Sequence, residues 1–352
     1  MFTFIDHEDY YKHKMDQIKE SPRRLKIIDK ILKNNGIYSL PSVRKISPEK
    51  ASEETLRLIH DQTLIDKVKH GSMLGGTRIS TNTIAGEHTF NAALRAAGGA
   101  ILAGETALEG KQSIAYALTR PPGHHATRDK AMGFCFFNNI AISVENLITR
   151  QKVKRIAIID FDNHYGNGLA DLFYDRNDVL TISLHADPAE TFPYQGRVHE
   201  IGERRGEGYN ICIPLPIGTG DKEYLSAFEE FVPPIIEQFN PELLFFAAGY
   251  DGLKDDPYGY LGLTLASYYE LGKQLSELSN DVCEGKVAFC LEGGYKFEEL
   301  GEAFLLNITP FLKDFEIDEK KYKLKQSSGG NKSQLKDTME TLREILKDYW
   351  KL

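Results

Sequence analysis

The chain reads as an α/β protein built on a mainly parallel sheet with helices on both faces, and three features point there. Runs such as Ile156-Ala157-Ile158-Ile159 and Leu243-Leu244-Phe245-Phe246 are apolar without alternation, the mark of strands covered on both faces. These runs take turns with stretches of helical period, the βα repeat that leaves a parallel sheet. Polar side chains capable of chemistry gather just beyond the C-terminal ends of the runs: His124 and His125, Asp162 and His164, His185, Asp251 and Tyr295. In open parallel sheets that edge is where ligands bind.

In chain order, residues 1–70 read as helix and loop. A helix is expected from Ser21 to about Leu32, with Ser21 as N-cap and Pro22 in its first turn. The spacing of Leu56, Ile59, Leu64 and Val68 predicts another over 52–70. Residues 71–86 are rich in Gly, Ser, Thr and Asn and read as a loop, followed by a helix over 92–108. Strands are expected over 113–118, 156–159, 179–185, 242–248 and 287–291, with helices over 138–148, 228–239 and 264–278. The 186–210 stretch has no clear element. Loops that long are commonly rims or interface pieces, which makes it a candidate for substrate selection or contact in a homo-oligomer. Residues 326–332 form a polar Ser/Gly linker and 335–349 a final amphipathic helix. One catalytic domain over 1–325 is expected, with 326–352 packed on it.

Composition narrows the partners. The chain has 352 residues, 41% of them hydrophobic and 27% charged, which is ordinary for a soluble globular protein. It has no apolar run of membrane-spanning length, and its N-terminus lacks the basic-then-apolar pattern of a secretion signal. Four cysteines without CxxC spacing predict reduced, buried thiols in a cytoplasmic protein. The net charge of −8 argues against nucleic acid, whose phosphates call for a basic stripe.

The strand ends carry the chemistry. Residues two apart on an extended chain share a face, so Asp160, Asp162 and His164 start on one side. Two carboxylates and an imidazole aimed at one point are costly to bury unless a cation sits among them. Asp251, after an apolar run and flanked by Gly249 and Gly252, is the third ligand expected beside Asp162 and His164. Three protein ligands with a fourth position open make a catalytic site, and the donor set does not by itself separate Zn²⁺ from Fe²⁺ or Mn²⁺. The bland alternative is an aspartate pair capping the next helix beside a surface histidine. His124 and His125 follow the rigid turn Arg120-Pro121-Pro122-Gly123 and suit general base and acid work near neutral pH. Their alternative is one core histidine with an exposed neighbour. Tyr295 follows Glu292-Gly293-Gly294, where its hydroxyl is placed to donate to a developing oxyanion; otherwise it is a turn aromatic.

Six motifs in order resemble the zinc-dependent histone deacetylase family, which includes acetylpolyamine amidohydrolases and acetoin-utilisation deacetylases. They are Arg-Pro-Pro-Gly-His-His-Ala (120–126), Gly-Phe-Cys-Phe-Phe-Asn-Asn (133–139), Asp-Phe-Asp-Asn-His-Tyr-Gly-Asn-Gly (160–168), Ser-Leu-His (183–185), Gly-Tyr-Asp with Asp-Asp-Pro (249–257) and Leu-Glu-Gly-Gly-Tyr (291–295). The resemblance spans roughly residues 15–312 and is nearest to class II-like bacterial and archaeal members, with 185–196 similar to the polyamine branch. It implies a three-layer α-β-α arginase/deacetylase fold with a central, mainly parallel eight-stranded sheet.

The resemblance also assigns roles: Asp162, His164 and Asp251 as metal ligands, His124 and His125 as tandem base and acid, and Tyr295 as oxyanion donor. Phe134 and Phe192 would line an acyl-lysine tunnel. Asp160 and Ser183, with backbone carbonyls of Asp162, His164 and Leu184, would hold a structural K⁺. Four positions depart from the family. Tyr165 replaces a histidine and is expected to pack rather than react. Asn167 stands where some members orient an aspartate at His125; asparagine still orients the ring but stabilises its cation less. Asn82 or Thr83 lies near a rim aspartate that in many members grips the substrate backbone. Tyr258 replaces a leucine or methionine and should narrow the tunnel mouth in favour of a slim, flexible substrate.

The function implied is hydrolysis of a short acyl group, acetyl above all, from lysine, a polyamine or a related amine. A non-catalytic acyl-amine binding module would have lost a ligand, a tandem histidine or the tyrosine, and none is lost. An arginase-like two-manganese ureohydrolase needs an Asp-x-His-x-Asp run, whereas this chain has Asp-x-Asp-x-His and Gly166.

Overall fold

The computed structural model describes residues 1–15, 19–322 and 324–352. Its strands are β1 (Phe2–Ile5), β2 (Val43–Ile46), β3 (Thr77–Ser80), β4 (Thr83–Ala85), β5 (Ile114–Ala117), β6 (Ile156–Asp160), β7 (Val179–Ala186), β8 (Asn210–Leu215), β9 (Leu243–Ala248) and β10 (Val287–Leu291). Eight form one sheet in the order β2-β1-β5-β10-β9-β6-β7-β8, with every neighbouring pair parallel. β3 and β4 make a separate antiparallel hairpin.

The unbroken apolar runs have the origin expected of them. On β6, Ile156 and Ile158 enter one core while Ala157 and Ile159 enter the other. On β9, Leu243, Phe245 and Ala247 face the first core, and Leu244, Phe246 and Ala248 the second. Successive side chains point to opposite faces, so a strand covered on both must be apolar throughout. Helices Thr89–Ala107 and Asn139–Thr149 cover one face; Asp221–Phe239, Leu265–Cys283 and Leu300–Ile308 cover the other. This is the three-layer α/β architecture. Met339, Leu342 and Leu346 of helix Lys332–Leu346, with Trp350, bury in the second core.

Several expectations are corrected. Residues 1–70 are not only helix and loop, because they supply β1 and the edge strand β2. β2 reads Val-Arg-Lys-Ile with Arg44 and Lys45 exposed, a short charged edge of the kind that resists further pairing. The other edge, β8, contains Pro214, which an edge strand tolerates. The 71–86 loop contains the β3–β4 hairpin. Helix 52–70 is two helices, Glu53–Leu56 and Gln62–Leu74. Pro22, not Ser21, occupies the cap position of helix Arg23–Asn34, without a side-chain cap bond. Helices Asn167–Phe173 and Leu300–Ile308 were not expected. The 186–210 loop ends as β8 begins and holds one 3₁₀ turn, Arg204–Gly206. All four cysteines are free and buried. No described helix is long and apolar enough to cross a membrane.

Candidate active site

A cavity of about 370 Å³ opens where β5, β6, β9 and β10 end. Asp162 and His164 follow β6, Asp251 follows β9, and their donor atoms lie within 4.8 Å of one another. His164 Nδ1 is 3.1 Å from Asp162 Oδ1 and 3.0 Å from Asp251 Oδ2. Backbone amides aim the carboxylates: Asp162 Oδ2 accepts from Gly293 N–H at 2.7 Å, and Asp251 Oδ1 from Asn163 N–H at 2.9 Å. Only glycine fits at 293, since a Cβ there would lie 2.4 Å from Asp251 Oδ2 and 2.5 Å from Asp162 Oδ2. Both aspartates are buried. Burial opposes an imidazolium at His164, yet the two carboxylates overcome it and hold its pKa well above the ordinary value. Two dehydrated carboxylates converging on one nitrogen form a site that calls for a positive charge, and this oxygen-rich donor set fits a divalent cation.

His124 and His125 sit beside this cluster with ring centroids 3.9 Å apart. His124 Nδ1 is 2.9 Å from Asp160 Oδ2, and His125 Nδ1 is 2.8 Å from Asn167 Oδ1. The two environments differ in charge. Burial disfavours the His124 cation, but Asp160 and Asp162 outweigh it and raise the pKa to about 10. Burial, with the charges of His124 and His164, pushes His125 well below its usual value. Glu292 Oε2 accepts from the N–H groups of Gly123 and His124 at 2.7 and 3.2 Å, fixing the turn that presents the pair. Burial raises the Glu292 carboxyl to about 7.

Tyr295 is buried against Tyr258 and Phe134, at 4.9 and 6.0 Å between ring centroids. Its N–H donates to Asp256 Oδ2 at 2.6 Å. The Arg24 guanidinium lies 4.8 Å from its ring centroid and donates to the carbonyls of Gly294 and Glu292. Glu20 pairs with Arg120 through both carboxylate oxygens, at 2.7 and 2.9 Å, entirely out of water.

Phe134, Phe192 and Tyr258 all line the cavity. Phe192 packs edge-on to His125 at 4.9 Å, and Phe134 lies 5.6 Å from Tyr258. Tyr260 joins them, 6.3 Å from the His164 ring. Asp160 and Ser183 stand opposite each other in the β6–β7 register, with Leu184 next along β7. Tyr165 packs on His185 at 4.8 Å, and its hydroxyl accepts from Asn210 Nδ2 at 3.0 Å. Sequence reasoning missed Tyr260, Arg24, Glu20, Asp256 and the Glu292 contact. Asp256 and Glu292 lie inside motifs it quoted, whereas nothing local marks Arg24 or Glu20.

Comparison with known proteins identifies the family and the fold. Residues 18–309 match the family described as histone deacetylase domain. A probable deacetylase of Archaeoglobus fulgidus is 34% identical, covering 99% of this chain and 98% of the relative. A histone deacetylase-like amidohydrolase of Pseudomonas aeruginosa is 36% identical, covering 78% and 72% respectively. A crystal structure titled as the HDA15 HD domain superposes with a TM-score of 0.88 at 28% identity, covering 99% of this chain and 96% of that one. Because the likeness runs through every layer of the fold and nearly the whole length of the chain, the protein belongs to the histone deacetylase family of deacetylases and amidohydrolases.

Proposed function

We propose that the protein is a metal-dependent amidohydrolase that removes a short acyl group, acetyl above all, from lysine, a polyamine or a related amine. The observation carrying this reading is the convergence of Asp162, His164 and Asp251 within 4.8 Å in a cavity that also presents two imidazoles and a phenol. These three residues would hold Zn²⁺, with Fe²⁺ or Mn²⁺ as substitutes. A bound divalent ion supplies Lewis acidity to the acyl carbonyl and to the attacking water.

The rest of the work belongs to the chain. The order of base and acid that the resemblance implies is reversed in this reading: Asn167 Oδ1 engages Nδ1 of His125, which favours the tautomer whose Nε2 lone pair is available as base. Asp160 orients His124 in the same manner and favours its cation, so a proton held there is available to the departing amine. The Tyr295 hydroxyl donates to the oxyanion, a contribution on the order of 10²- to 10³-fold in rate. The four aromatic walls exclude water and admit a slim chain. Asp160 and Ser183, with the backbone carbonyls of Asp162, His164 and Leu184, are assigned to a structural monovalent cation, K⁺.

The test is a turnover screen of acetyl-lysine peptides, acetylpolyamines and small acetamides, with metal content measured on the same sample. Turnover that tracks metal content and favours acetyl over long acyl chains is expected. A metal-replete sample inert across the panel would overturn the reading in favour of a binding module. Equal turnover of long and short chains would overturn the acyl preference alone.

A further inference from the structure

We propose that Asn82 and Thr83, at the tip of the β3–β4 hairpin, set the width of the acyl tunnel by holding Phe134 in a left-handed turn. The inference rests on the amidohydrolase reading for its meaning, but not for its geometry. Gly133 and Phe134 have φ of 57° and 68° in succession. Glycine accepts such a backbone freely; a residue with a bulky side chain does so only where its surroundings enforce it.

The turn closes on itself through Cys135 N–H to Met132 O at 2.9 Å, and further enforcement comes from about fifty residues earlier in the chain. Asn82 Oδ1 accepts from Gly133 N–H at 3.0 Å, and Thr83 Oγ1 accepts from Phe134 N–H at 3.1 Å. The Thr83 hydroxyl donates in turn to Asn82 Oδ1 at 3.3 Å, so each group in the array has a defined role. On its other side the turn is blocked, because a Cβ at Gly133 would lie 2.2 Å from the His125 ring. Phe134 then has one place to go, against Tyr258 and Tyr295 on the tunnel wall.

The hairpin is itself anchored. Arg78 Nη1 donates to Thr81 O across its tip at 2.6 Å. Along β3, Ile79 fills the space left by Gly71, where a Cβ would lie 2.7 Å from Ile79 Cδ1. Ser72 Oγ meets the carbonyls of Gly86 and Glu87, each at 2.9 Å. The acceptor oxygens of Asn82 and Thr83 are thus committed to the protein's own backbone, although Asn82 lines the cavity. The hairpin thereby acts on substrate by shape, through Phe134.

Two measurements on the Asn82→Ala/Thr83→Val double variant test this. The first is hydrogen exchange in the peptide spanning Gly133 and Phe134, which needs no activity. It should speed up about tenfold or more once two hydrogen bonds are gone, while peptides from β6 and β9 stay unchanged. The second is an acyl-chain series on one amine. KM for acetyl should rise about tenfold with kcat within about twofold, and the preference for acetyl over hexanoyl should fall at least about fivefold. Asn82→Asp and Thr83→Ser keep an acceptor oxygen and should restore both readouts. Unchanged exchange at 133–134, or an unchanged chain-length profile in the folded double variant, overturns the inference. A wild-type protein inert toward every acyl amine overturns the amidohydrolase reading instead, and the exchange result then decides the geometry alone.

Discussion

The floor and the wall of the cavity are built on different principles. The floor (Asp160, Asp162, His164, Asp251, the tandem histidines and Tyr295) lies at or just past the ends of sheet strands. Asp160, Asp162 and His164 at β6 and Asp251 at β9 are aimed by amides a few residues away or in the turns that follow other strands. The tandem histidines sit on a turn seven and eight residues beyond β5, their rings held by Asp160 and Asn167, and Tyr295 lies four residues beyond β10. The wall (Phe134, Phe192, Tyr258 and Tyr260) sits on loops, and distant partners hold it: Asn82 and Thr83 for Phe134, and Asn163 Oδ1 for the N–H of Tyr260. Strand ends are rigid and placed by the whole sheet, so they suit groups whose geometry the chemistry fixes. Loops can be exchanged without touching the sheet, so they suit groups that differ from one substrate to the next. Changes to the floor should therefore abolish turnover, and changes to the wall should redirect it.

The largest effect is expected at His164 and Asp251. Replacing either with alanine removes one of three converging donors and leaves a buried carboxylate without its partner. Turnover should fall by at least about 10³-fold, as Lewis-acid stabilisation of several kcal/mol is lost. Metal content per chain, measured by emission spectroscopy, should fall with it. An alanine variant that keeps both metal and activity would show that this floor is not the chemical centre. Next comes Tyr295→Phe, which deletes one hydroxyl and keeps the ring between Phe134 and Tyr258. A fall of about 10²- to 10³-fold in kcat with little change in KM is expected. A change confined to KM would move Tyr295 from the floor to the wall.

The same division explains what was legible in the sequence. Asp162 and His164 announce themselves because a buried strand has period two and the residues just past its end inherit that order. His124, His125 and Tyr295 are legible for the same reason, since each follows an apolar run. β1, β2 and β8 were not read as strands: Thr3 interrupts the apolar run of β1, β2 carries two charges, and β8 contains a proline. The wall came through more dimly. Tyr260 lies two residues beyond Tyr258 in a glycine-rich loop with no periodicity, and only the folded chain brings it to His164. Arg24 and Glu20 looked like the solvated start of an amphipathic helix and are instead fully buried beneath Tyr295 and the 120–125 turn. Their partners lie 100 to 270 residues away, and no local pattern encodes such a pairing.

Behind the 124–138 segment, acid should find a weak point at His60, which bonds Thr127 and Asn138 within it. Its Nδ1 meets Thr127 O and its Nε2 meets Asn138 N–H, both at 2.9 Å. The ring is therefore the neutral tautomer with Nε2 as acceptor, and a second proton would set two N–H groups against each other at a helix N-terminus. Burial accordingly lowers its pKa from 6.5 to about 4. The folded state binds fewer protons than the unfolded chain between those values, so the stability from His60 is complete above pH 6.5. It is lost as pH falls toward 4. The displacement corresponds to about 3 kcal/mol. Urea unfolding at pH 7.0, 5.5 and 4.5 should show His60→Gln losing less stability over that interval than wild type, whatever its starting value. Parallel pH slopes would remove His60 as a source of acid sensitivity.

The smallest effect, and the sharpest on the contrast, is expected at Tyr258. Its ring touches both regions, lying 5.6 Å from Phe134 on the wall and 4.9 Å from Tyr295, and its hydroxyl accepts from Lys19 N–H at 3.4 Å. Tyr258→Leu keeps an apolar lining and removes ring and hydroxyl, which widens the mouth without changing any donor on the floor. If the wall acts only by shape, kcat/KM for acetyl should change by no more than about tenfold while longer acyl chains gain relative to it, in line with the 1–3 kcal/mol, roughly, that an apolar pocket can discriminate. If the packing of Tyr258 on Tyr295 also fixes the hydroxyl that meets the oxyanion, kcat should fall equally for every chain length. A kinetic series over acetyl, butyryl and hexanoyl amides separates the two, and the second outcome would mean that one ring of the wall positions a group of the floor.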